Sequence, residues 1–479
     1  MQELGLKIGV EIHQQLDSGR KLFCHCPASL RSDNPDTTAM RKIYAVAGET
    51  GKIDAAAAYE ESRKKTYYYE GYYDATCLLE FDESPPYLID EDALNIALQI
   101  SLLLNAKPLS ITQVMRKTVI DGSNTSGFQR TVMVAKNGYV EIGKKRISIP
   151  AIYLEEDAAR RTSETKDSVT FRLDRLGIPL IEISTTPDIS NGEEAKQVAL
   201  KIGEILRSAK VKRGIGTIRQ DVNLSIAKGD RTEIKGVQEP NLIPKVIENE
   251  ILRQQLLIKE KKKVERTVRN AMADGNTKFL RPLPGEARMY PETDLPLIKI
   301  SDELVNEIKK SLPKLKSDVL KELVKKGISE EYAELLIKEN KLEDLRQLLF
   351  TKADINLIAK LLVLYPKEIS SHEKIDLIKI NEKLSIDVLA DILKLINSNK
   401  ISESSIKNVL TGIVKGKSLE RTMSESKQLP KSDIEKEIKE IIKQKPDLSV
   451  SAYMGLLMQK FKGKADGKDL MELLKKTVK

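Results

Sequence analysis

An apolar run, ISIPAIYL (residues 147–154), ends in three successive carboxylates, Glu155, Glu156 and Asp157, with Arg160 and Arg161 close behind. No other stretch constrains the fold as tightly. The β-branched run reads as a strand, and strand alternation sends Glu155 and Asp157 to one face and Glu156 to the other. Three adjacent acids repel one another unless positive charge lies among them. A hard cation held on carboxylate oxygens settles that repulsion, and Mg²⁺ carrying phosphates is the commonest such arrangement. A solvated acidic turn balanced by the two arginines settles it too.

The chain has 479 residues, more than one hydrophobic core organises, so two to four domains are expected. A hydrophobic fraction of 40% and a mean hydropathy of -0.34 describe a soluble globular protein. The opening MQELGLKIGV lacks the order of a signal peptide, and no apolar run reaches the ~20 residues of a membrane span. Three cysteines make no disulfide framework, so a reducing cytoplasm is expected. A net charge of +9 with pI about 9.0 favours a polyanionic partner.

Residues 1–296 read as an α+β catalytic domain with many short strands broken by Gly, Asn and Asp. In the first strand, LKIGVEIHQQL (residues 6–16), Glu11 and His13 share one face while Ile8, Val10 and Ile12 share the other. A Glu-x-His pair suits a metal or proton transfer, or is a plain polar strand face. Only His25 and His372 compete with His13, and His372 reads as a surface residue of a linker. Cys24-His25-Cys26 is half a zinc motif, but the remaining cysteine, Cys77, has no second cysteine beside it. The tyrosine cluster at residues 67–77 reads as packing.

A helix follows at residues 89–106. Two β runs at residues 115–135 then flank DGSNTSG, whose backbone N–H groups suit an anion with Arg116, Lys117 and Arg130 nearby, or form a simple hairpin turn. Residues 171–190 alternate buried strand with Arg172, Arg175 and Glu182, and residues 192–210 read as a helix. The strand at residues 213–226 puts Arg219, Asp221 and Asn223 on one face, poor core material that should meet a cavity or water. Residues 233–255 begin as a strand and become a helix. A proline-rich stretch, residues 281–296, ends the domain with Arg288, Glu292 and Asp294 as its charged candidates.

From residue 297 the texture becomes Lys, Glu, Leu and Ile at helical spacing, with SDEL and SEEY as capping sequences. Residues 297–410 are expected to form a helical domain and residues 411–479 a helical tail. The tail's sixteen basic against ten acidic residues suit a nucleic-acid grip or a solvated helical face.

GVEIHQQLDSGRKLFCHCP, VIDGSNTSGFQRT, IYLEEDAARR, LDRLGIPLIEI, GTIRQDVNLSI, EIKGVQ and RPLPGEARMYPETDLP occur here in the order found in the GatB/GatE family. Over essentially its whole length the chain resembles that family, most closely its archaeal branch. The resemblance implies a mixed-sheet cradle domain, then an all-α helical domain and a helical YqeY-like tail. It also implies ATP-dependent phosphorylation of the Glu side chain on misacylated Glu-tRNA(Gln), then amidation to Gln-tRNA(Gln). Glu11, His13, Glu155 and Asp221 are the implied Mg²⁺-binding and catalytic positions, Glu156 remaining an alternative to Glu155. Arg116, Lys117, Arg130 and the loop residues Ser123, Asn124, Ser126 and Gly127 are the implied ATP-phosphate contacts.

No asparaginase-type Thr motif or amidase Ser-Ser-Lys arrangement is present, so ammonia must come from a partner. In the archaeal branch that partner is an asparaginase-like subunit, in a heterodimer or a dimer of heterodimers. Two departures stand out. The aspartyl-tRNA-synthetase-like insert of archaeal members has no room near residues 256–266, and the second cysteine pair of some bacterial members is missing, so zinc is not carried over. A non-catalytic tRNA-binding adaptor and a bacterial-type B subunit paired with an amidase are the alternative readings.

Overall fold

The computed structural model describes residues 4–45, 51–285, 289–398, 400–401, 403–425, 431–446, 448–461 and 467–477. Arg288 lies outside them. Two compact units divide the chain, residues 1–315 and 316–479.

The first unit is built on a large sheet. Its strands are β1 (Lys7–Gln15), β2 (Val114–Thr118), β3 (Phe128–Ile142), β4 (Lys145–Glu156), β5 (Pro179–Ser184), β6 (Ile218–Ser225), β7 (Thr232–Lys235), β8 (Thr267–Ala271), β9 (Thr277–Pro282) and β10 (Met289–Pro291). They lie in the order β9-β8-β7-β6-β1-β5-β4-β3-β2-β10, with the short Lys107–Pro108 strand against β3. Neighbours run antiparallel except β7 and β8, so the sheet is mixed.

Alternation fixes what each face carries. Ile8, Val10 and Ile12 of β1, Ile152 and Leu154 of β4 and Ile181 and Ile183 of β5 are buried in one core. The helices α1 (Glu91–Leu103), α2 (Gly192–Ser208) and α3 (Ile243–Lys259) contribute Leu98, Ile202 and Val246 to the same core. Each large aliphatic side chain so buried contributes about 1.5–3 kcal/mol. Asp90 caps α1 on Ala93 N and Asn191 caps α2 on Glu194 N, satisfying otherwise orphaned donors. A single β1 strand thus buries its even-numbered residues and presents Glu11 and His13 on the sheet's other face.

The 115–135 region forms an antiparallel β2–β3 hairpin. Its turn requires glycine at Gly122, where φ is +85° and a Cβ would fall 2.2 Å from the Tyr67 ring. Tyr67 and Tyr69 are buried with Phe171 in a separate cluster on a four-stranded sheet and Tyr72 is buried as well, whereas Tyr68 and Tyr73 of the same run are exposed. The segment between α3 and β8 is only residues 260–266, with no space for a domain.

The second unit is helical throughout its described residues. One core gathers Leu323, Leu336, Leu348, Ile358, Leu393 and Leu410, and another gathers Ile438, Tyr453, Leu457 and Leu474. The two capping sequences act as read: Ser301 accepts from Leu304 N in the first unit, and Ser329 from Tyr332 N in the second. No described helix is long and apolar enough to cross a membrane.

Candidate active site

Register assembles a polar cluster on the sheet face away from the helices. His13 stands opposite Glu182 of β5 on one side and Arg219 of β6 on the other, and Glu11 stands opposite Asp221. His13 Nε2 lies 3.4 Å from Glu182 Oε2 and 3.5 Å from Glu11 Oε1. Lys117 Nζ contacts Glu155 Oε1 and lies 3.2 Å from Glu182 Oε2. Glu155 also accepts from Thr131 Oγ1 at 2.9 Å and from Gln129 Nε2 at 3.0 Å.

Five titratable side chains in contact perturb one another. Burial, then the charge of Glu182, raises the Glu11 carboxyl to about 7. Burial also favours neutral His13, yet its hydrogen bond to Glu182 and the surrounding carboxylates outweigh that and raise its pKa. Glu182 is held well below its usual range: burial opposes ionisation, but Lys117 and His13 overcome it. Glu155 is raised by burial and by Glu182. One carboxylate is thus firmly ionised beside two that resist ionisation, an arrangement in which an added cation relieves repulsion. Donor atoms of Glu11, His13 and Glu182 lie within 4.8 Å of one another, close enough to share one ion.

The acidic triplet is buried and dispersed. Glu155, Glu156 and Asp157 are 1%, 5% and 1% exposed, so the turn is not solvated. Glu155 joins the His13 cluster. Glu156 turns to the opposite face, where Arg130 approaches it at 3.4 Å through Nη1 and 3.2 Å through its backbone N. Asp157, past the end of β4, accepts from Gln15 at 2.7 Å and Arg219 at 2.9 Å, with Arg175 at 3.8 Å. Arg160 and Arg161 serve other carboxylates, Asp174 and Glu164.

Lys117 is thus brought to the cluster, whereas Arg116 and Arg130 lie on the other face of the hairpin. Both bind Glu292, Arg130 Nε at 2.9 Å, and Arg116 also reaches Asp294 at 3.3 Å. In the turn, Ser123 N and Oγ donate to Asp121 at 3.0 and 2.5 Å, and Ser126 Oγ donates to Phe128 O at 3.0 Å. Asn124 is buried, and Gly127 N donates to Asn124 O at 3.1 Å. The side chain of Asp221 meets Lys235 Nζ at 3.3 Å and Gly236 N at 2.9 Å. Glu182, Gln129 and Thr131 were not among the expected site residues. Glu182 could have been singled out, because LIEIS places one acid on the polar face of an otherwise apolar strand.

A second cluster joins Cys24, Cys26, Cys77 and Glu80, whose ligand atoms also lie within 4.8 Å of one another. Cys24 Sγ donates to Glu80 Oε1 at 3.1 Å, and Cys77 N donates to Glu80 Oε2 at 2.8 Å. Lys21, fully buried, donates to Glu80 Oε1 at 2.9 Å. Hydrogen bonds from Cys24 and Cys77 lower the Cys26 thiol to about 4. The fold thus gives Cys24 and Cys26 their missing partners through Cys77-x-x-Glu80 rather than through a second cysteine pair. His25 is exposed, its ring 4.7 Å from that of Tyr87.

Residues 6–306 match the GatB/GatE catalytic domain, and residues 352–478 match the GatB domain. The E subunit of the glutamyl-tRNA(Gln) amidotransferase of Methanocaldococcus jannaschii is 35% identical over 635 aligned residues, covering 100% of this chain and 99% of that protein. The protein of the same name from Saccharolobus solfataricus is 33% identical over 631, covering 100% and 98%. Both alignments are longer than the 479 residues here, so these relatives carry an internal stretch without counterpart in this chain. A catalytic-domain match over more than half the chain, with these full-length relatives, makes the chain a member of the GatB/GatE family.

Proposed function

We propose that this chain is the subunit of a tRNA-dependent amidotransferase that converts Glu-tRNA(Gln) to Gln-tRNA(Gln). The observation that carries this reading is the Glu11–His13–Glu182–Lys117–Glu155 cluster on the open sheet face, together with the names of its relatives. Phosphoryl transfer from ATP requires positioning and charge neutralisation more than covalent chemistry from the protein. The Glu side chain on the tRNA attacks the terminal phosphorus and ADP leaves. Ammonia then attacks the acyl phosphate, and phosphate leaves as the amide forms.

The residues present fit a divalent cation, since Glu11, His13 and Glu182 converge and the Glu11 carboxyl stays raised despite His13 and Lys235. Mg²⁺ bound there would supply charge neutralisation for the phosphates. Glu155, held by Gln129 and Thr131, anchors the Lys117 ammonium where it can meet a phosphate oxygen. Asp221 orders Lys235 beside Glu11, and its role is to position rather than to react. Arg116, Arg130 and the Ser123–Gly127 turn stay in this reading as supports of the β2–β3 hairpin that carries Lys117 and Gln129.

Residues 1–296 of the first unit hold the chemistry, the helical domain expected over residues 297–410 begins at residue 316, and the basic tail, residues 411–479, contacts tRNA. An asparaginase-like subunit supplies ammonia in the cytoplasm. The test is ATP hydrolysis dependent on Glu-tRNA(Gln), with Mg²⁺ and added ammonium. Gln-tRNA(Gln) formation by the purified chain supports the reading. Absence of ATP turnover, even with an asparaginase-like partner, overturns it in favour of a tRNA-binding adaptor.

A further inference from the structure

At the end of β4, Asp157 serves two guanidiniums at once. Arg219 donates to its Oδ1 through Nη2 at 2.9 Å, and Arg175 Nε lies 3.8 Å from Oδ2, which Gln15 also occupies at 2.7 Å. Arg175 is braced further, donating through Nε to Ala158 O at 2.7 Å and through Nη2 to Ala159 O at 2.9 Å. Asp157 is 1% exposed, whereas the Arg219 and Arg175 side chains are 35% and 23% exposed. The nearby Arg160 is matched by Asp174 at 2.6 Å.

One buried carboxylate therefore holds two arginines in place, leaving a positive charge uncompensated at a half-open position. Burial pushes the Arg175 pKa down, and neighbouring Arg219 and Arg160 push it further, against the pull of Asp157 and Asp174. A single structural ion pair at a strand end needs only one arginine. A second, with its side chain part-exposed, suits a tetrahedral oxyanion met by two donors. Position narrows the ligand. Arg219 is the direct cross-strand neighbour of His13, and directly opposed side chains on one sheet face begin about 5 Å apart. An anion on Arg219 therefore lies beside the carboxylate–histidine cluster, whose own negative charge would otherwise repel it.

We propose that Arg219 and Arg175, fastened by Asp157, form an anion subsite that takes a phosphate group of the nucleoside triphosphate handled by the adjoining cluster. This rests on the phosphoryl-transfer reading above. The same phosphate chemistry belongs to the acceptor end of a tRNA, and kinetics separate the two sources.

The direct probe is inorganic triphosphate, titrated calorimetrically into the full chain and into R219Q and R175Q. Either substitution should weaken binding at least tenfold while the thermal melt stays within a few degrees of the parent. Unchanged binding by both folded variants overturns the proposal. Should either variant fail to fold, arginine-directed phenylglyoxal labelling of the parent replaces it. Triphosphate should protect Arg219 in peptide mapping, and equal labelling with and without triphosphate overturns the subsite. In turnover assays, R219K should raise the KM for ATP severalfold and leave that for Glu-tRNA unchanged; the reverse pattern overturns the nucleotide assignment and gives the subsite to tRNA phosphates. Triphosphate binding requires no turnover, so a chain that binds it through Arg219 yet never hydrolyses ATP defeats the functional reading and leaves the subsite standing.

Discussion

Two clusters in the first unit could each hold a cation, and they are built on opposite principles. Glu11, His13 and Glu182 offer hard oxygen and imidazole donors, with side chains 21%, 12% and 14% exposed. Cys24, Cys26, Cys77 and Glu80 offer thiols and one carboxylate, with Cys24 and Glu80 buried at 5% and 3% exposed and Cys26 and Cys77 half-buried. Each has a lysine clamped on a carboxylate, and the lysines differ in the same sense. Lys21 is fully buried and held additionally by Leu173 O at 3.1 Å, so it is fixed. Lys117 is 13% exposed and shared between Glu155 and Glu182 on an open face, so it can exchange partners when an anion arrives. Four protein donors around a tetrahedral ion suit a bracing role, while three donors leave a position open for a substrate oxygen.

That contrast breaks most visibly at His13. His13→Ala should lower Glu-tRNA(Gln)-dependent ATP turnover by roughly 10²–10⁴-fold, the range for a group acting directly at the reacting centre. Binding of tRNA, followed by filter retention, should be nearly unchanged. A variant that loses tRNA binding and turnover together would make the open cluster a structural element like its counterpart.

The reciprocal change is Cys24→Ala. It removes the thiol donor to Glu80 and leaves a buried acceptor less satisfied, so stability should fall by about 1–3 kcal/mol while turnover per folded molecule stays near the parent. Denaturant midpoints paired with active-fraction assays measure both. Loss of turnover at full stability would move the thiol cluster into the chemistry.

Chelators sharpen the same distinction. The thiol set suits a soft divalent ion in tetrahedral geometry, so a zinc-selective chelator should lower the melting temperature of the parent by several degrees and leave Cys24→Ala unmoved. Withdrawing Mg²⁺ should stop turnover and leave the melt in place. Identical responses to both treatments would erase the difference between the clusters.

How much of this was legible in the sequence follows from which interactions are local. Period-two alternation put Glu11 and His13 on one strand face, and it separated Glu155 from Glu156, because a strand's geometry fixes side from residue parity. The α+β cradle and the helical second unit were likewise readable from β-branched runs and Lys/Glu/Leu spacing. Pairing across strands was not readable. That His13 meets Glu182, 169 residues later, depends on β5 lying against β1 in one register, and no local pattern encodes that. The same gap hid Cys77 and Glu80 from Cys24, since a loop-borne partner leaves no spacing signature. Asp157 lies one residue past the end of β4 yet keeps the side that parity gives it, because its partners Gln15 and Arg219 stand on the His13 face.

Arginines that resemble one another in sequence also divide in the fold, and acid titration separates them. Arg116 and Arg130 close on Glu292, which is fully buried and accepts in addition from Asp294 N at 3.1 Å. Burial alone would raise the Glu292 carboxyl, but the bond from Arg116 and the charge of Arg130 hold it below its ordinary 4.5. A depressed folded-state value means that the unfolded chain binds more protons through this interval. The stabilisation is therefore complete above the ordinary value and is lost as pH falls through the lower folded one. Glu292→Gln should be less stable than the parent near neutrality, and the gap in melting temperature should close on acidification below 4.5. Asp157→Asn, whose two arginines are half-open, should by contrast lose triphosphate binding at neutral pH. If Glu292→Gln instead strengthened triphosphate binding by releasing Arg116 and Arg130, the pair on Glu292 would be the reserve of positive charge, and the division between closed and open arginines would have to be reversed.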